Sequence, residues 1–356
     1  MCGKSREKKG QDEDEAMNIK QIAKTAGVSV ATVSRVLNHP ENVAPATREK
    51  IQKVIEEAEY KPNWFARGLN FDKTKTIGLV VPHILNTMYM EIAKGIEDVA
   101  RQKEYVIFMC NIEKNADIEK SYIEQLLTRR VDGIILMFTT LDTGYIKTIE
   151  DHETPVVLIG ENKGASEFNA VQVDCRLGAK TMVRHLVESG HKSIGILYGN
   201  DPKYESFNML EGYREAIAES GLAVNDANIM PVENTIEGGH LGAKKMMAGD
   251  SPQAIFATSD VIAYGAMDAI KDGGLKIPED IAVTGLGNDR MSKLIEPKLT
   301  TVEMPLHKMG AYGARLLFDL MEGEKKIEES VRVINLQSKL MIRKSCGHKD
   351  RIGEMF

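Results

Sequence analysis

"GVSVATVSRVLNHP", at residues 27–40, is the stretch that decides the fold of the N-terminal part of this chain. Gly27 can end a first short helix, whose start Asn18 can cap, because glycine readily adopts the left-handed conformation found after a helix. Ser29 can cap a second helix only two residues further on. Two short helices joined through a glycine turn are typical of a helix-turn-helix motif.

The second helix of this motif is predicted to have one apolar face and one face without acidic residues. Val33 and Val36 recur at helical spacing, so they are predicted to be buried. The same spacing places Ala31, Arg35 and Asn38 on the opposite side, with Val30 and Ser34 beside them. Such a face can enter the major groove of DNA, where arginine contacts guanine and small apolar side chains contact the thymine methyl group. An ordinary small three-helix domain explains the spacing equally well, so both interpretations stay open at this point.

The residues that follow predict a third helix and a hinge. "VAPATREKIQKVIEEAEY" at residues 43–60 has helical spacing, with Pro45 at the helix start. The hinge and linker, residues 63–75, begins with a short helix that Asn63 can cap and that reaches Leu69. Two helical turns that contain a glycine are too short to be stable alone in water. We therefore expect the hinge helix to form only when another molecule holds it.

Charge is distributed unevenly along the chain. The formal net charge is −6 at pH 7, but residues 17–69 contain eight Lys or Arg and five Asp or Glu, a net of +3. Residues 1–16 contain few apolar side chains and are predicted to be a disordered tail. A small basic module, residues 17–62, attached to a large acidic remainder favours contact with nucleic acid. Chance charge on a solvated helical surface is the alternative interpretation.

The pattern changes from Thr76 onward, where apolar runs alternate with amphipathic helices. Continuous Val, Ile and Leu runs such as "TIGLVV" and "GIILMF" predict strands of parallel sheets that are covered on both faces. The set of runs predicts two doubly wound lobes, in which ligands bind at the carboxyl ends of the strands. Loops at these ends are rich in Asn, Asp, Glu and Tyr, which suit the hydroxyl groups of a sugar or a similar polar metabolite. The same residue types also form ordinary turns.

Several patterns argue against an enzyme, a metal site and a membrane protein. No G-x-S-x-G pattern is present, and "GLGNDR" has Arg290 where a dinucleotide-binding loop needs its third glycine. His185 and His191 are six residues apart, which is not a helical metal-ligand spacing. We therefore predict no catalytic residues, no metal and no cofactor. No run approaches the ~18 apolar residues of a spanning helix, and the charged N-terminus is unlike a signal peptide, so a cytoplasmic protein with reduced cysteines is predicted.

These motifs make the chain resemble the LacI/GalR family of bacterial transcription regulators. The resemblance rests on "IKQIAKTAGVSVATVSRVLN", "VAPATREKIQKVIEEAEYKPN" and "ARGL" in the N-terminal part, and on "LTTVEMP", "MGAYGARLL" and "LMIRKS" in the core. It implies an all-α helix-turn-helix headpiece plus an α/β core of two doubly wound parallel-sheet lobes with a periplasmic-binding-protein-like fold. Residues 76–345 would form the effector-binding and dimerisation core. Its first subdomain would contain residues 76–174 and 304–328, and its second would contain residues 175–303 and 329–345. A polar tail, residues 346–356, would follow the core.

The resemblance also implies roles for particular residues. Val30, Ala31 and Arg35 would read bases in the major groove, and Ala66 and Leu69 of the hinge would enter the minor groove. Contacts to the DNA backbone would be made by Asn18, Ser29, Thr32, Ser34, Asn42, Thr47 and Asn63. The effector would be bound by His83, Asn86, Met88, Tyr89, Glu161, Asn208, Asp260 and Asn288.

The implied function is that of an effector-responsive, sequence-specific DNA-binding transcription regulator, in particular a repressor of a carbohydrate-utilisation operon. Its partners would be double-stranded operator DNA, a sugar or sugar derivative, and a second copy of the chain, because one recognition helix reads only half of a two-fold symmetric operator. Met209 departs from the pattern, since the family often has an arginine there that clamps the effector. The alternative is a catabolite-control type of regulator with a phosphorylated phosphocarrier protein as corepressor.

Overall fold

The protein is described by a computed structural model that covers residues 17–38, 40–58, 60, 73–161, 167–200, 204–323 and 331–348. The chain divides into two compact units, Met1–Thr74 and Lys75–Phe356. The predicted disordered tail at residues 1–16 and the predicted hinge helix from Asn63 to Leu69 lie outside the described residues. The first unit contains the predicted DNA-reading motif, and the second contains the predicted effector core.

The first unit consists of short helices around a small apolar core. Its helices are α1 (Ile19–Ala26), α2 (Val30–Asn38) and α3 (Pro45–Glu57), with a 3-10 turn at Pro40–Asn42. Ile22, Val33 and Ile51 are completely buried between them. The three helices predicted from the spacing of apolar residues are therefore confirmed, with those residues facing inward.

The second unit contains two lobes, and the first lobe is a parallel sheet with helices on both faces. Its strands in the described residues are β1 (Thr76–Val81), β2 (Val106–Asn111), β3 (Ile134–Met137), β4 (Val156–Ile159), β5 (Ala170–Val173) and β11 (Val333–Leu336), which pair in the order β11-β5-β4-β3-β1-β2. One face packs on α4 (Thr87–Gln102) and α11 (Leu306–Glu322), and the other packs on α5 (Ala116–Thr128) and α6 (Thr143–Glu150). Leu79 of β1 packs on the face covered by α4 and α11, and Val80 packs on the face covered by α5 and α6. This alternation is expected because successive side chains of a strand point to opposite faces.

The second lobe repeats this architecture. Its strands in the described residues are β6 (Ile194–Gly199), β7 (Ile229–Val232), β8 (Ala254–Ala257), β9 (Ala282–Gly287), β10 (Thr300–Glu303) and β12 (Lys339–Met341), in the order β12-β10-β9-β8-β6-β7. All pair in parallel except β12, which is antiparallel to β10. The helices on its two faces are α7 (Cys175–Glu188) with α8 (Tyr204–Glu219), and α9 (Ile236–Met247) with α10 (Asp260–Asp272). The two doubly wound lobes predicted from the sequence are therefore confirmed.

The chain crosses between the lobes after β5, after β10 and after β11. The assignment of residues 329–345 to the second subdomain is wrong for β11, because Val333–Leu336 pairs with Ala170–Val173 in the sheet of the first lobe. Only β12, which pairs with β10, belongs to the second lobe. An isolated short apolar run does not show which of two sheet edges it will join, so the third crossing could not be located from the sequence.

The segment after β12 is packed onto the second lobe. A 3-10 turn at Lys344–Cys346 buries Cys346 completely, and its Sγ lies 3.3 Å from Nε2 of His185 on α7. Nδ1 of His348 lies 3.0 Å from Oγ of Ser189. The prediction of a polar tail from residue 346 is therefore wrong for residues 346–348, because the imidazoles and the thiol form a cluster at the end of α7. His185 is a core residue in this cluster, and its burial lowers its pKa to about 4.

Candidate DNA-reading helix and effector cleft

The start and the end of α1 are set by its own sequence. Oδ1 of Asn18 accepts hydrogen bonds from the backbone N–H groups of Lys20 at 3.0 Å and of Gln21 at 3.1 Å. Oε1 of Gln21 accepts from the backbone N–H of Asn18 at 2.7 Å, which completes a capping box. Gly27 ends the helix with a φ of 66°. Oδ1 of Asn18 accepts the hydrogen bonds of the cap. The predicted contact of Asn18 with the DNA backbone would therefore be a hydrogen bond that its Nδ2 donates to a phosphate.

The start of α2 is capped in a similar way. Oγ of Ser29 accepts from the backbone N–H of Thr32 at 3.1 Å, and the two hydroxyl groups lie 2.8 Å apart. The short turn from Gly27 to Ser29 therefore leads directly into the N-terminus of α2. Exposed N–H groups at a helix N-terminus attract phosphate, which agrees with the prediction that Ser29 and Thr32 contact the DNA backbone.

The outer face of α2 is composed as predicted. Val30 is 41% exposed, and Ala31 and Arg35 are also exposed. Val33 and Val36 on the opposite side are buried. The helix therefore presents its small apolar side chains and its arginine together, without an acidic neighbour on the helix. Base reading by these three residues stays a prediction, but the exposure that it requires is present.

The remaining predicted DNA contacts lie around this helix or outside the described residues. Ser34 is half-buried on α2, Asn42 is exposed in the 3-10 turn, and Thr47 is half-buried in the first turn of α3. The hinge predictions concern Asn63, Ala66 and Leu69, which lie outside the described residues.

In the second unit, the predicted effector residues of the loop after β1 have different environments. Oδ1 of Asn86 accepts from the backbone N–H of Met88 at 2.9 Å, so Asn86 caps α4. Nε2 of His83 lies 3.8 Å from Oε2 of Glu113. Met88 is half-buried against the main core. Tyr89 is buried, with its ring centroid 5.3 Å from that of Phe138. Only His83 and Asn86 of this group therefore keep polar atoms near the surface.

Two predicted effector residues meet across the lobes. Oε2 of Glu161, which follows β4 in the first lobe, accepts from Nδ2 of Asn208 on α8 of the second lobe at 2.6 Å. Oε1 of Glu161 accepts from the backbone N–H of Cys175, the first residue of α7, at 2.9 Å. Burial raises the pKa of Glu161 above its ordinary value, although both hydrogen bonds act in the opposite direction. This carboxylate therefore joins the two lobes.

Asp260 is buried within the second lobe. It is 3% exposed, and its carboxylate accepts from Oγ1 of Thr301 at 2.5 Å and from the backbone N–H of Asp289 at 2.9 Å. Burial raises its pKa to about 6. Direct binding of an effector hydroxyl by Asp260 stays a prediction. In the structure the carboxylate holds the loop after β9 against β10 and the start of α10.

Asn288 belongs to the same loop and is also engaged within the protein. Its Nδ2 donates to Oε1 of Glu303 at 2.9 Å, and its Oδ1 accepts from Nη2 of Arg343 at 2.5 Å. Arg343 is 2% exposed and donates from Nη1 to the carbonyl oxygen of Leu299 at 2.6 Å. Sequence reasoning missed the role of Arg343. A lone arginine after the last strand carries no local sign that it will be buried, because its acceptors come from distant loops.

A cavity of about 550 Å³ lies between the lobes. It is formed by residues that follow the carboxyl ends of strands in both sheets, namely Pro82, Ile112, Lys114, Ala116, Phe138 and Thr140 from the first lobe, and Asn200, Glu233, Asn234 and Thr235 from the second. The lining is mixed, with amide and hydroxyl groups, one lysine, one glutamate and the ring of Phe138. None of the eight predicted effector residues is among these described lining residues, although Tyr89 packs behind Phe138. The location at the strand ends was predicted, and the loops after β6 and β7 that contribute Asn200 and residues 233–235 were among those expected to face the cleft. The eight residues selected as effector contacts lie outside this lining.

A helix-turn-helix unit is typical of DNA-binding proteins, and a crevice at the carboxyl ends of strands in doubly wound sheets is typical of ligand-binding domains. Residues 18–63 match the family model described as bacterial regulatory proteins of the lacI family. Residues 74–344 match the model described as periplasmic binding proteins and sugar binding domain of the LacI family. The chain therefore belongs to the LacI family and is a DNA-binding transcription regulator. None of its described helices is long and apolar enough to cross a membrane.

Similar proteins support the same family. Catabolite control protein A of Priestia megaterium is 35% identical over 331 residues, which cover 92% of this chain and 99% of the relative. The crystal structure of the Lac repressor dimer bound to operator and the anti-inducer ONPF has a TM-score of 0.82 at 25% identity, and the match covers 93% of this chain and 99% of that chain. A complex of the transcriptional regulator CelR with cellobiose has a TM-score of 0.70 at 27% identity, with 92% and 99% covered.

Proposed function

We propose that this regulator is a repressor of a carbohydrate-utilisation operon whose affinity for operator DNA is controlled by a sugar or sugar derivative bound between the lobes. The observation that carries the proposal is the cavity of about 550 Å³ at the carboxyl ends of strands from both sheets. A ligand there touches both lobes at once, so its binding energy depends on their arrangement. The relative that was solved with cellobiose agrees with a carbohydrate ligand.

The chemistry of the cavity suits a polyhydroxylated molecule. Thr140 of the first lobe and Asn200, Asn234 and Thr235 of the second offer hydroxyl and amide groups that both donate and accept hydrogen bonds. Phe138, which is largely buried, contributes apolar ring atoms to the wall of the cavity. A few polar groups around an apolar wall are typical of small-molecule sites.

The control mechanism follows from contacts between the lobes. The hydrogen bond of Glu161 with Asn208 stabilises one arrangement of the two lobes. An effector that binds more tightly to one arrangement shifts the population toward it. DNA affinity changes with this population because the hinge, residues 63–75, connects the core to the headpiece along the chain.

We infer that the working form is a homodimer. Val106, Phe108 and Met109 are 61%, 38% and 47% exposed on β2, an edge strand of the first sheet. Leu241 on α9 and Leu294 in the second lobe are 67% and 75% exposed. Exposed large apolar side chains of this kind are typical of protein contacts, and a two-fold operator needs two recognition helices. We further infer that the cleft binds its ligand without converting it, that no cofactor is needed, and that the protein acts in the cytoplasm, where operator DNA is found.

A second candidate function is catabolite control with a phosphorylated phosphocarrier protein as corepressor. Two observations favour it: a relative with 35% identity is a catabolite control protein A, and Met209 is 9% exposed within the main core. Met209 therefore contributes to packing and cannot replace the charged clamp that many family members have at this position. In this candidate function the cavity modulates the response, and the protein partner supplies the main signal.

The two candidates are distinguished by fluorescence-anisotropy titration of the full chain with labelled palindromic operators. Each titration is repeated with a panel of sugars and sugar phosphates and with a phosphorylated phosphocarrier protein. For the first candidate we expect one small molecule to change operator affinity at least about tenfold, which corresponds to ~1.4 kcal/mol. The double variant Thr140→Ala with Asn200→Ala should bind operator normally and lose this response. Asn335→Ala, at an exposed position on β11, is the control that should keep it.

Three outcomes are informative. A response to the phosphocarrier protein alone favours the second candidate function. A small-molecule response that survives the double variant contradicts the cavity as the effector site. An operator affinity that no small molecule and no phosphocarrier protein changes contradicts both candidate functions. It would not affect the assignment of the chain to the LacI family.

A further inference from the structure

The outer surface of the second lobe brings three metal-ligating side chains together on α9 and α10. Nδ1 of His240 lies 2.9 Å from Oδ2 of Asp268, and ligand atoms of His240, Asp268 and Asp272 all lie within 4.8 Å of one another. His240 is half-buried, and the two aspartates are exposed. None of the three residues is a predicted DNA contact or lines the interlobe cavity, so neither the DNA-binding nor the effector function accounts for their arrangement.

The geometry of this cluster is set by close packing of the two helices. A Cβ atom on Gly239 would lie against the carbonyl oxygen of Ile262, and one on Gly265 would lie against the carbonyl oxygen of Ile236. The helices can therefore approach only because both positions are glycine. Asp268 and Asp272 are one helical turn apart on α10, so their side chains share the face that meets His240. The three ligand groups thus sit on rigid elements rather than on loops.

Within the described residues, no Lys or Arg nitrogen lies within 4.0 Å of the carboxylate of Asp268 or Asp272. Two aspartates at this spacing on a helix repel each other. Within the part of the chain that the structure describes, the one ion-pair partner of Asp268 is His240, and the carboxylate of Asp272 has no hydrogen bond or ion pair. The other short His–Asp pair differs in this respect. Nε2 of His307 lies 2.9 Å from Asp98, but Lys94 and Arg101 also contact that carboxylate, at 2.5 Å and 2.9 Å.

We propose that His240, Asp268 and Asp272 bind a divalent first-row transition-metal ion, with Zn²⁺ as the best-suited probe. An imidazole nitrogen with two carboxylate oxygens provides three ligands of the kinds that Zn²⁺ accepts, and water can complete the tetrahedron. The imidazole disfavours Ca²⁺ and Mg²⁺, which take oxygen ligands. The bound ion neutralises the two aspartates and links α9 to α10. Because the ligand atoms are within 4.8 Å of one another, small side-chain rotations are enough to bring them to one ion.

The proposal is tested by isothermal titration of the metal-stripped full chain with Zn²⁺, combined with competition against a chromophoric chelator. We expect one site per chain that His240→Gln and Asp272→Asn each weaken by about tenfold or more, because each removes one of three ligands. His307→Gln is the matched control, since it removes the imidazole of a His–Asp pair of the same length. It should leave the affinity for Zn²⁺ unchanged. Circular dichroism of each variant shows that its fold is retained, as expected for substitutions near the surface.

Two results would overturn the proposal. One is the absence of saturable Zn²⁺ binding to the chain. The other is binding that His240→Gln and Asp272→Asn leave unchanged and that Cys346→Ser removes, because this would place the ion at the thiol and histidine cluster at the end of α7. In the expected case, Zn²⁺ also raises the thermal unfolding temperature of the parent chain and of His307→Gln, and does so much less for His240→Gln, since an ion that binds only the folded state stabilises it.

Discussion

The Asp260→Asn variant should gain stability relative to the parent protein as the pH rises. Asp260 is 3% exposed, and its pKa is raised from 3.8 to about 6 by burial. A folded-state pKa above the unfolded value means that the folded protein binds the proton more tightly. The stability that this proton contributes is complete below the unfolded pKa and is lost as the pH rises through about 6. Asparagine is neutral at every pH and has nearly the same shape, so it mimics the protonated acid.

The size of the effect follows from the difference between the two pKa values. The full shift, from 3.8 to about 6, corresponds to about 3 kcal/mol at ~1.36 kcal/mol per pH unit. Part of the transition lies below the practical range, so about 2 kcal/mol of it should appear between about pH 4.5 and about pH 7.5. The amide oxygen can keep the hydrogen bond from the backbone N–H of Asp289, and the amide N–H can donate to the hydroxyl of Thr301. The hydrogen bonds of the site are therefore retained.

The assay is urea unfolding of both proteins at several pH values, with circular dichroism as the signal. The difference in unfolding free energy, variant minus parent, should rise by about 2 kcal/mol over this pH range. Asn335→Ala is the control, because it replaces an exposed side chain on β11 that has no titratable group. That variant should show a constant offset. Parallel stability curves for Asp260→Asn and the parent would refute the assignment of Asp260 as a carboxylate that the fold keeps partly protonated.

Three further predictions concern the headpiece and the end of α7. Arg35→Ala should relax base preference at one position in each half-site by about 1–3 kcal/mol, measured by competition with operator variants; unchanged selectivity would show that Arg35 does not read a base. Asn18→Ala should cost about 1 kcal/mol of headpiece stability, measured by thermal unfolding, because it removes the capping box of α1. His185 has its pKa lowered from 6.5 to about 4 by burial, so the parent should lose stability as the pH falls through this window. His185→Gln should lose this pH dependence, and a curve with the same slope as that of the parent would contradict the burial of a neutral imidazole.

Local sequence was sufficient for most of the elements and for the DNA-reading face. The helices of the headpiece follow from capping residues and apolar spacing, which act over only a few positions. The exposure of Val30, Ala31 and Arg35 on α2 follows from the same spacing. The strands of both lobes follow from continuous apolar runs, because a strand covered on both faces needs apolar side chains at every position. The carboxyl ends of these strands were correctly expected to surround a cleft.

The sequence by itself therefore determined the class of the fold and the location of its two sites, while only the tertiary structure decided which side chains occupy them. β11 joins the first sheet through pairing with a strand far away in the chain, and no local pattern encodes that choice. Asp260 and Arg343 are buried by loops that come from different parts of the second lobe. The residue type alone therefore did not predict the burial of either side chain. Burial and partners are properties of segments that meet in space. Burial and contact partners therefore determine the pKa values, the charge balance and the lining of the cleft. The periodicity of residues along the chain carries no information about these properties.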